Sequence, residues 1–185
     1  GMVNPGYEHI EDYRDIATLN QYRGIKKRKG DVSAFLCQQR QTSRDNARSP
    51  MQWDHSPNAG FTSVTPWLKP AKNYVDINVA REEKDPDSVL NYFRRMVAFR
   101  KANPEFVYGT YTLIEATHPQ VYAYLRESDE RKFLIALNFS PKPASIRPQM
   151  NLEGAEALMD NYNDHPAWDK TLLLRPYEAL IVRYL

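Results

Sequence analysis

The spacing of apolar side chains changes near residue 105. Before this point they recur about every 3.6 positions, and after it they alternate with polar side chains. A period near 3.6 predicts amphipathic helices, whereas a period of two predicts half-buried strands. The sequence therefore predicts an α+β chain, with helices and loops in residues 1–104 and an all-β module in residues 105–185.

Three helices are predicted in the first part of the chain, over about residues 10–28, 31–40 and 85–102. The second has Asp31 as its N-cap, and Cys37 within it is expected to be a small buried residue rather than a nucleophile. The third begins at Asp85, which precedes a proline and a second acidic residue, as helix starts often do. Its broad apolar face predicts a heavily buried helix.

Seven short strands are predicted in the second part of the chain. They cover residues 108–116, 120–127, 132–140, 144–148, 155–161, 171–174 and 178–184. The polar turn at residues 128–130 is flanked by the largely apolar segments 122–126 and 133–137, which predicts a hairpin. Many short strands separated by turns are typical of an antiparallel β-sandwich.

Residues 43–54, which we call the Arg-rich loop, have the sequence SRDNARSPMQWD. No helical or strand period runs through them, and Pro50 disfavours helix at the residue before it. Arginine donors beside an indole could bind a polyhydroxylated ligand, and the alternative is an Arg–Asp network that holds the loop to its domain. The next residues, 55–74, are proline-rich and aperiodic, and their aromatic side chains predict an ordered loop anchored by those rings.

The composition excludes several classes of partner. Charges are mixed in sign with a net charge of +2, which does not indicate a nucleic-acid ligand. No apolar run is long enough for a membrane span, and a single cysteine fits a reducing, cytoplasmic compartment. His9, Glu11 and Asp12 match no standard metal-ligand spacing, so no metal is expected.

Several segments resemble the oligo-1,6-glucosidase and α-glucosidase branch of the α-amylase superfamily. They are the Arg-rich loop, NAGFT at 58–62, PWL at 66–68, HPQVYAYLR at 118–126 and LNFS at 137–140. The resemblance covers essentially the whole chain. Members of this family have a (β/α)8 barrel followed by a C-terminal β-sandwich. The resemblance therefore implies that residues 1–104 are the end of the catalytic barrel, comprising the loop after strand eight and helix eight, and that residues 105–185 are the sandwich.

The resemblance also implies a function, hydrolysis of α-glucosidic bonds of oligosaccharides with α-1,6 linkage as the expected one. Retaining glycosidases use two carboxylates about 5 Å apart, and in this family these lie on barrel strands upstream of this chain. No catalytic residue is therefore expected here, the chain alone is expected to be inactive, and no cofactor is implied. Arg48 resembles the arginine that binds the non-reducing glucose. Arg44 is a second substrate-binding candidate, with pairing to Asp45 or Asp54 as its alternative role, and Trp53 fits a packing anchor better than a sugar platform.

Two other hypotheses compete with that of an α-glucosidase fragment. The chain could be a non-catalytic carbohydrate-binding or structural module that folds by itself. It could also be an assembly piece, since the apolar face of the third helix has lost its barrel partners and such patches favour self-association. The expected partners are thus an oligosaccharide, the missing N-terminal barrel and a second copy of the chain.

Overall fold

The computed structural model describes residues 2–162, 164 and 170–184. The chain divides into two compact units, one ending at Phe93 and the other beginning at Arg94. The first contains helices and loops, and the second contains every strand of the described residues. Within those residues, no helix has the length and apolar character needed to cross a membrane.

Five α-helices lie in the described residues: α1 (Ile16–Lys27), α2 (Val32–Thr42), α3 (Val79–Glu82), α4 (Val89–Ala102) and α5 (Glu105–Tyr108). The first predicted helix is divided, because a 3-10 turn at Ile10–Asp12 precedes α1 and Asp15 caps α1 by accepting from the Thr18 N–H. The prediction for α2 is confirmed, since the Asp31 side chain accepts from the N–H groups of its first turn.

The start of α4 differs from the prediction. The Asp85 carboxylate accepts from the Asp87 N–H within a turn, whereas the Ser88 hydroxyl accepts from the Asn91 N–H. Ser88 therefore does the capping that was predicted for Asp85, and the helix begins at Val89. None of the 14 residues of α4 is fully buried, so the prediction of a heavily buried helix is wrong for this chain.

The core of the first unit is small. Tyr7, Tyr13 and Leu68 are buried, and the two tyrosine rings meet edge to face with centroids 5.4 Å apart. Phe35 of α2 is also buried, whereas Cys37 is exposed. The prediction of a buried cysteine is wrong because two residues along a helix turn the side chain by about 200°.

Residues 55–74 are ordered by different groups from those predicted. The rings of Phe61 and Trp67 are at least half exposed, while Ala59, Leu68 and Ala71 are buried. Tyr74 is half-buried, so the segment is anchored mainly by small and aliphatic side chains and only in part by an aromatic ring.

The second unit contains seven strands: β1 (Thr110–Ile114), β2 (Val121–Glu127), β3 (Lys132–Asn138), β4 (Ala144–Ile146), β5 (Glu156–Asp160), β6 (Leu172–Leu174) and β7 (Ala179–Tyr184). Each lies within its predicted range. One antiparallel sheet has the order β1-β2-β3-β7-β5, and β4 pairs with β6 in a second sheet. The predicted fold class, helices with an antiparallel sandwich, is confirmed, and no closed barrel is present in the described residues.

Strand β3 has buried side chains on both faces. Leu134 joins the cluster that the two sheets share, together with Ile146 and Leu174 of the smaller sheet. Phe133 faces the other way and packs against Phe106, with ring centroids 5.0 Å apart. This double burial explains why β3 is almost continuously apolar instead of strictly alternating.

A buried carboxylate links α5 to the β2–β3 hairpin. Glu105 is 6% exposed and accepts from Arg131 Nε at 2.8 Å, and Arg131 also donates to Asn103. Arg126 donates to the Glu105 carbonyl. An acidic residue at this position therefore ties the end of the helical segment to the sheet.

We expect Glu105→Gln to lower the free energy of unfolding by about 2 kcal/mol, because it weakens a largely buried ion pair whose arginine is only partly exposed. Glu156→Gln, which breaks the exposed pair with Arg183, should change it by less than about 0.5 kcal/mol. Urea unfolding of both variants provides the measurement. Equal effects of the two substitutions would contradict the role assigned to Glu105.

Candidate substrate-binding site

The Arg-rich loop begins as a 3-10 helix and continues as an extended segment. The helix covers Arg44–Arg48, and the Ser43 hydroxyl accepts from the Asp45 N–H at its start. In the extended part Gln52 is buried while Met51 and Trp53 are exposed. This alternation is that of an extended chain with one side turned toward the protein.

Backbone hydrogen bonds hold the extended part in place. The N–H groups of Val79 and Ala80, at the start of α3, donate to the carbonyls of Gln52 and Trp53 at 2.9 Å. The Trp53 N–H in turn donates to the Ala59 carbonyl at 2.9 Å. Trp53 is 49% exposed, so the packing role that the sequence favoured involves only about half of this residue.

Asp45 connects the Arg-rich loop to the start of α1. Its side chain is fully buried, and its Oδ2 accepts from the backbone N–H groups of Arg14 at 2.6 Å and Asp15 at 2.8 Å. A buried carboxylate is costly unless it is hydrogen-bonded and paired with a cation. The two amides provide the hydrogen bonds, and an arginine of the same loop provides the cation.

That arginine is Arg48. Its Nη1 lies 3.5 Å from Asp45 Oδ1 and 3.6 Å from Asp15 Oδ1. These distances describe ion pairs that are longer than ordinary charge-assisted hydrogen bonds. The Arg48 side chain is still 41% exposed. Two buried carboxylates thus hold one edge of a guanidinium group that remains accessible.

Arg44 lies on the same 3-10 helix in a different environment. Its side chain is exposed, and it forms no hydrogen bond or ion pair with the part of the chain that the structure describes. The alternative pairing of Arg44 with Asp45 or Asp54 is not observed, because Asp45 pairs with Arg48 and Asp54 accepts from Ser56. Arg44 is therefore a second accessible cation on this helix.

Asp15 is the centre of a buried polar network between α1 and α2. Its Oδ2 accepts from the Thr18 N–H and hydroxyl, both at 3.0 Å, and the hydroxyl also lies 3.0 Å from Gln39 Oε1. The hydrogen bond from the Thr18 N–H, with smaller contributions from its hydroxyl and from the charges of Arg48 and Arg44, lowers the pKa of Asp15 although burial opposes the shift. The carboxylate is therefore stabilised in its charged form beside Arg48.

A largely apolar cavity of about 330 Å³ lies beside Met51 and Gln52 of the Arg-rich loop, within the first unit. Its apolar lining is formed by Met2, Met51, Ile77, Val79, Val89, Leu90 and Phe93. Gln52 also lines it and donates from Nε2 to the Ile77 carbonyl at 2.6 Å. Its Oε1 is buried and accepts no hydrogen bond from the described residues. Asn78 and Glu82 complete the lining, so the wall is mostly apolar with three polar side chains.

The chemistry available at the loop is binding rather than proton transfer. Asp15 and Asp45 are buried and occupied by backbone amides and by Arg48, so neither is presented to a substrate. No group of three or more histidine, cysteine or acidic residues in the described ranges is arranged to hold a metal ion. Asp15 was not singled out by the sequence reasoning. Its spacing to Thr18, a capping pattern, was the available signal.

Comparisons with known proteins identify the class. Residues 4–109 match the family described as alpha amylase, catalytic domain, and residues 111–181 match the family described as maltogenic amylase, C-terminal domain. The chain belongs to the alpha-amylase family.

The individual relatives agree with the resemblance found in the sequence. The chain is 40% identical to the oligo-1,6-glucosidase of Parageobacillus thermoglucosidasius over 99% of its own length and 33% of that protein. It is 39% identical to the probable oligo-1,6-glucosidase 2 of Bacillus subtilis, covering 98% of this chain and 33% of the relative. The crystal structure of Bacillus licheniformis trehalose-6-phosphate hydrolase matches with a TM-score of 0.92 and 34% identity, over 98% of this chain and 34% of that one. The chain spans about a third of the length of these relatives.

We expect Asp15→Ala to lower the free energy of unfolding at pH 7 by about 1–2 kcal/mol, since it removes a helix cap and one carboxylate of the network. The pKa of Asp15 is lowered from 3.8 in the folded state. The part of its stabilising effect that comes from the charged carboxylate is therefore fully present above pH 3.8, and it is lost as the pH falls through the folded-state pKa. Denaturant unfolding at pH 7 and pH 3 measures both effects.

The control for this prediction is Asp129→Ala, in the exposed β2–β3 turn, which should change stability by less than about 0.5 kcal/mol. An Asp15→Ala effect that does not decrease at acid pH would contradict the stabilised carboxylate.

Proposed function

We propose that this chain is the C-terminal part of an α-glucosidase that hydrolyses α-glucosidic bonds of oligosaccharides, with α-1,6 bonds as its expected substrates. In this proposal the chain supplies substrate-binding groups and the upstream barrel supplies the catalytic carboxylates. The observation that supports it best is an accessible arginine, Arg48, held by two buried carboxylates in a chain related to oligo-1,6-glucosidases. The exposed Cys37 thiol fits a cytoplasmic location.

Arg48 has the chemistry that the role requires. A guanidinium group has five N–H donors, and only Nη1 faces the carboxylates Asp15 and Asp45. The remaining donors are available to the hydroxyl groups of a glucose unit. Arg44 is the second substrate-binding candidate, because its exposed side chain is not occupied by the described residues.

The rest of a barrel is the partner that we propose for the first unit. The cavity beside the Arg-rich loop, the buried acceptor of Gln52 and the exposed side chains of Val89 and Phe93 all belong to this unit. Together they form an apolar surface that a barrel would cover. In this proposal residues 1–104 complete the barrel and residues 105–185 form the sandwich domain.

A second candidate function is a non-catalytic carbohydrate-binding or structural module. The observation that favours it is the separate core of the second unit, in which both sheets contribute to one buried cluster. A chain of this kind could also self-associate through Val89 and Phe93, which are 64% and 63% exposed.

The proposed function is tested in a chimera in which this chain replaces the matching third of the Parageobacillus thermoglucosidasius relative. We expect the chimera to hydrolyse isomaltose and the chain alone to be inactive. Arg48→Ala should lower kcat/KM of the chimera about 100-fold, because it removes charge-assisted hydrogen bonds to the sugar.

Arg23→Ala is the matched control, since Arg23 is an exposed arginine of α1 whose side chain bonds only to Asn20 in the described residues. It should leave kcat/KM unchanged. Turnover of a nitrophenyl α-glucoside by the chain alone, abolished by Arg48→Ala, would overturn the proposal that the catalytic groups lie upstream.

A further inference from the structure

We propose that Asp15 and Asp45 are positioning residues, which orient Arg48 for a sugar before the sugar binds. The inference rests on the proposed function only for the identity of the ligand. The orientation itself is a property of this chain. The two carboxylates come from different elements, the cap of α1 and the Arg-rich loop, and they meet at one nitrogen of Arg48.

Each carboxylate divides its two oxygens between two tasks. Oδ2 of Asp45 accepts from two consecutive backbone amides, and Oδ2 of Asp15 accepts from Thr18. The Oδ1 atoms of both residues face Arg48 Nη1. The backbone bonds therefore fix each carboxylate, and each carboxylate presents its other oxygen to the same guanidinium.

The Arg48-facing oxygen of Asp45 has no other use in the described residues. It is buried and accepts no hydrogen bond there, so the ion pair with Arg48 is its only polar contact among them. The hydrogen bonds from the two backbone amides to Oδ2 would be enough to attach the loop to the start of α1. The second oxygen is buried beside a half-exposed arginine, which indicates that holding Arg48 is a separate role of Asp45.

An arginine held in this way is prepared for binding. Long charged side chains lose rotamer freedom when they are ordered, and a ligand that must order them binds more weakly. Here folding orders the guanidinium before a sugar arrives. The exposed edge of Arg48 can then donate to hydroxyl groups in a fixed geometry.

Asparagine substitutions separate the orientation of Arg48 from the hydrogen bonds that each side chain accepts from backbone amides. Asp15→Asn and Asp45→Asn each keep one oxygen to accept from the backbone amides, but they place an uncharged NH2 group opposite Arg48. Asparagine is as good an N-cap as aspartate, so Asp15→Asn should fold. Asp31→Asn is the matched control, because the Asp31 carboxylate caps α2 and forms no ion pair with an arginine among the described residues.

The measurement is nitrogen-15 NMR of arginine side chains in the intact chain, with Arg48 assigned by its loss in Arg48→Lys. We expect slow rotation about the Arg48 Nε–Cζ bond in the original protein and in Asp31→Asn. Rotation should be on the order of ten-fold faster in Asp15→Asn and in Asp45→Asn, since each loses a charge-assisted contact.

An unchanged rotation rate in folded Asp15→Asn and Asp45→Asn would overturn the positioning role. If Asp45→Asn does not fold, Asp15→Asn decides the question alone. The outcome is independent of the proposed function. Fast rotation in these variants, together with an unaffected kcat/KM for Arg48→Ala in the chimera, would support positioning and overturn sugar binding by Arg48.

Discussion

The first unit depends on the burial of one carboxylate. Asp45 is completely inaccessible, and its charge is tolerated because two backbone amides and Arg48 surround it. This arrangement fixes the Arg-rich loop to the start of α1 and at the same time orders an accessible arginine. An alanine at position 45 would leave the backbone amides of Arg14 and Asp15 without their acceptor and would release the loop from the start of α1.

The sequence predicted the fold well wherever apolar side chains recur with a regular period. All seven strands lie within their predicted ranges, and Asp31 caps α2 as expected. The prediction failed for Cys37 and for α4, since burial depends on which face of a helix meets a partner. In the described residues Met96 and Phe99 of α4 pack against the Phe133 cluster, whereas Val89 and Phe93 at its start are exposed.

The candidate site was only partly predictable. Arg48 and Arg44 became candidates through a resemblance, because a loop without a period has no pattern from which geometry follows. The long-range contact of Asp45 with the amides of residues 14 and 15 depends on how α1 and the loop meet, which no local rule specifies. For the same reason the pairing of Arg48 with Asp15, 33 positions earlier in the chain, could be read only from the structure.

The central claim is that Arg48 faces a glucose unit. A crystal structure of the chimera with bound isomaltose, its catalytic nucleophile inactivated, tests this most directly. We predict guanidinium nitrogens of Arg48 within about 3 Å of hydroxyl groups of the non-reducing glucose, with Nη1 still beside Asp15 and Asp45. A bound sugar that Arg48 does not contact would contradict the account.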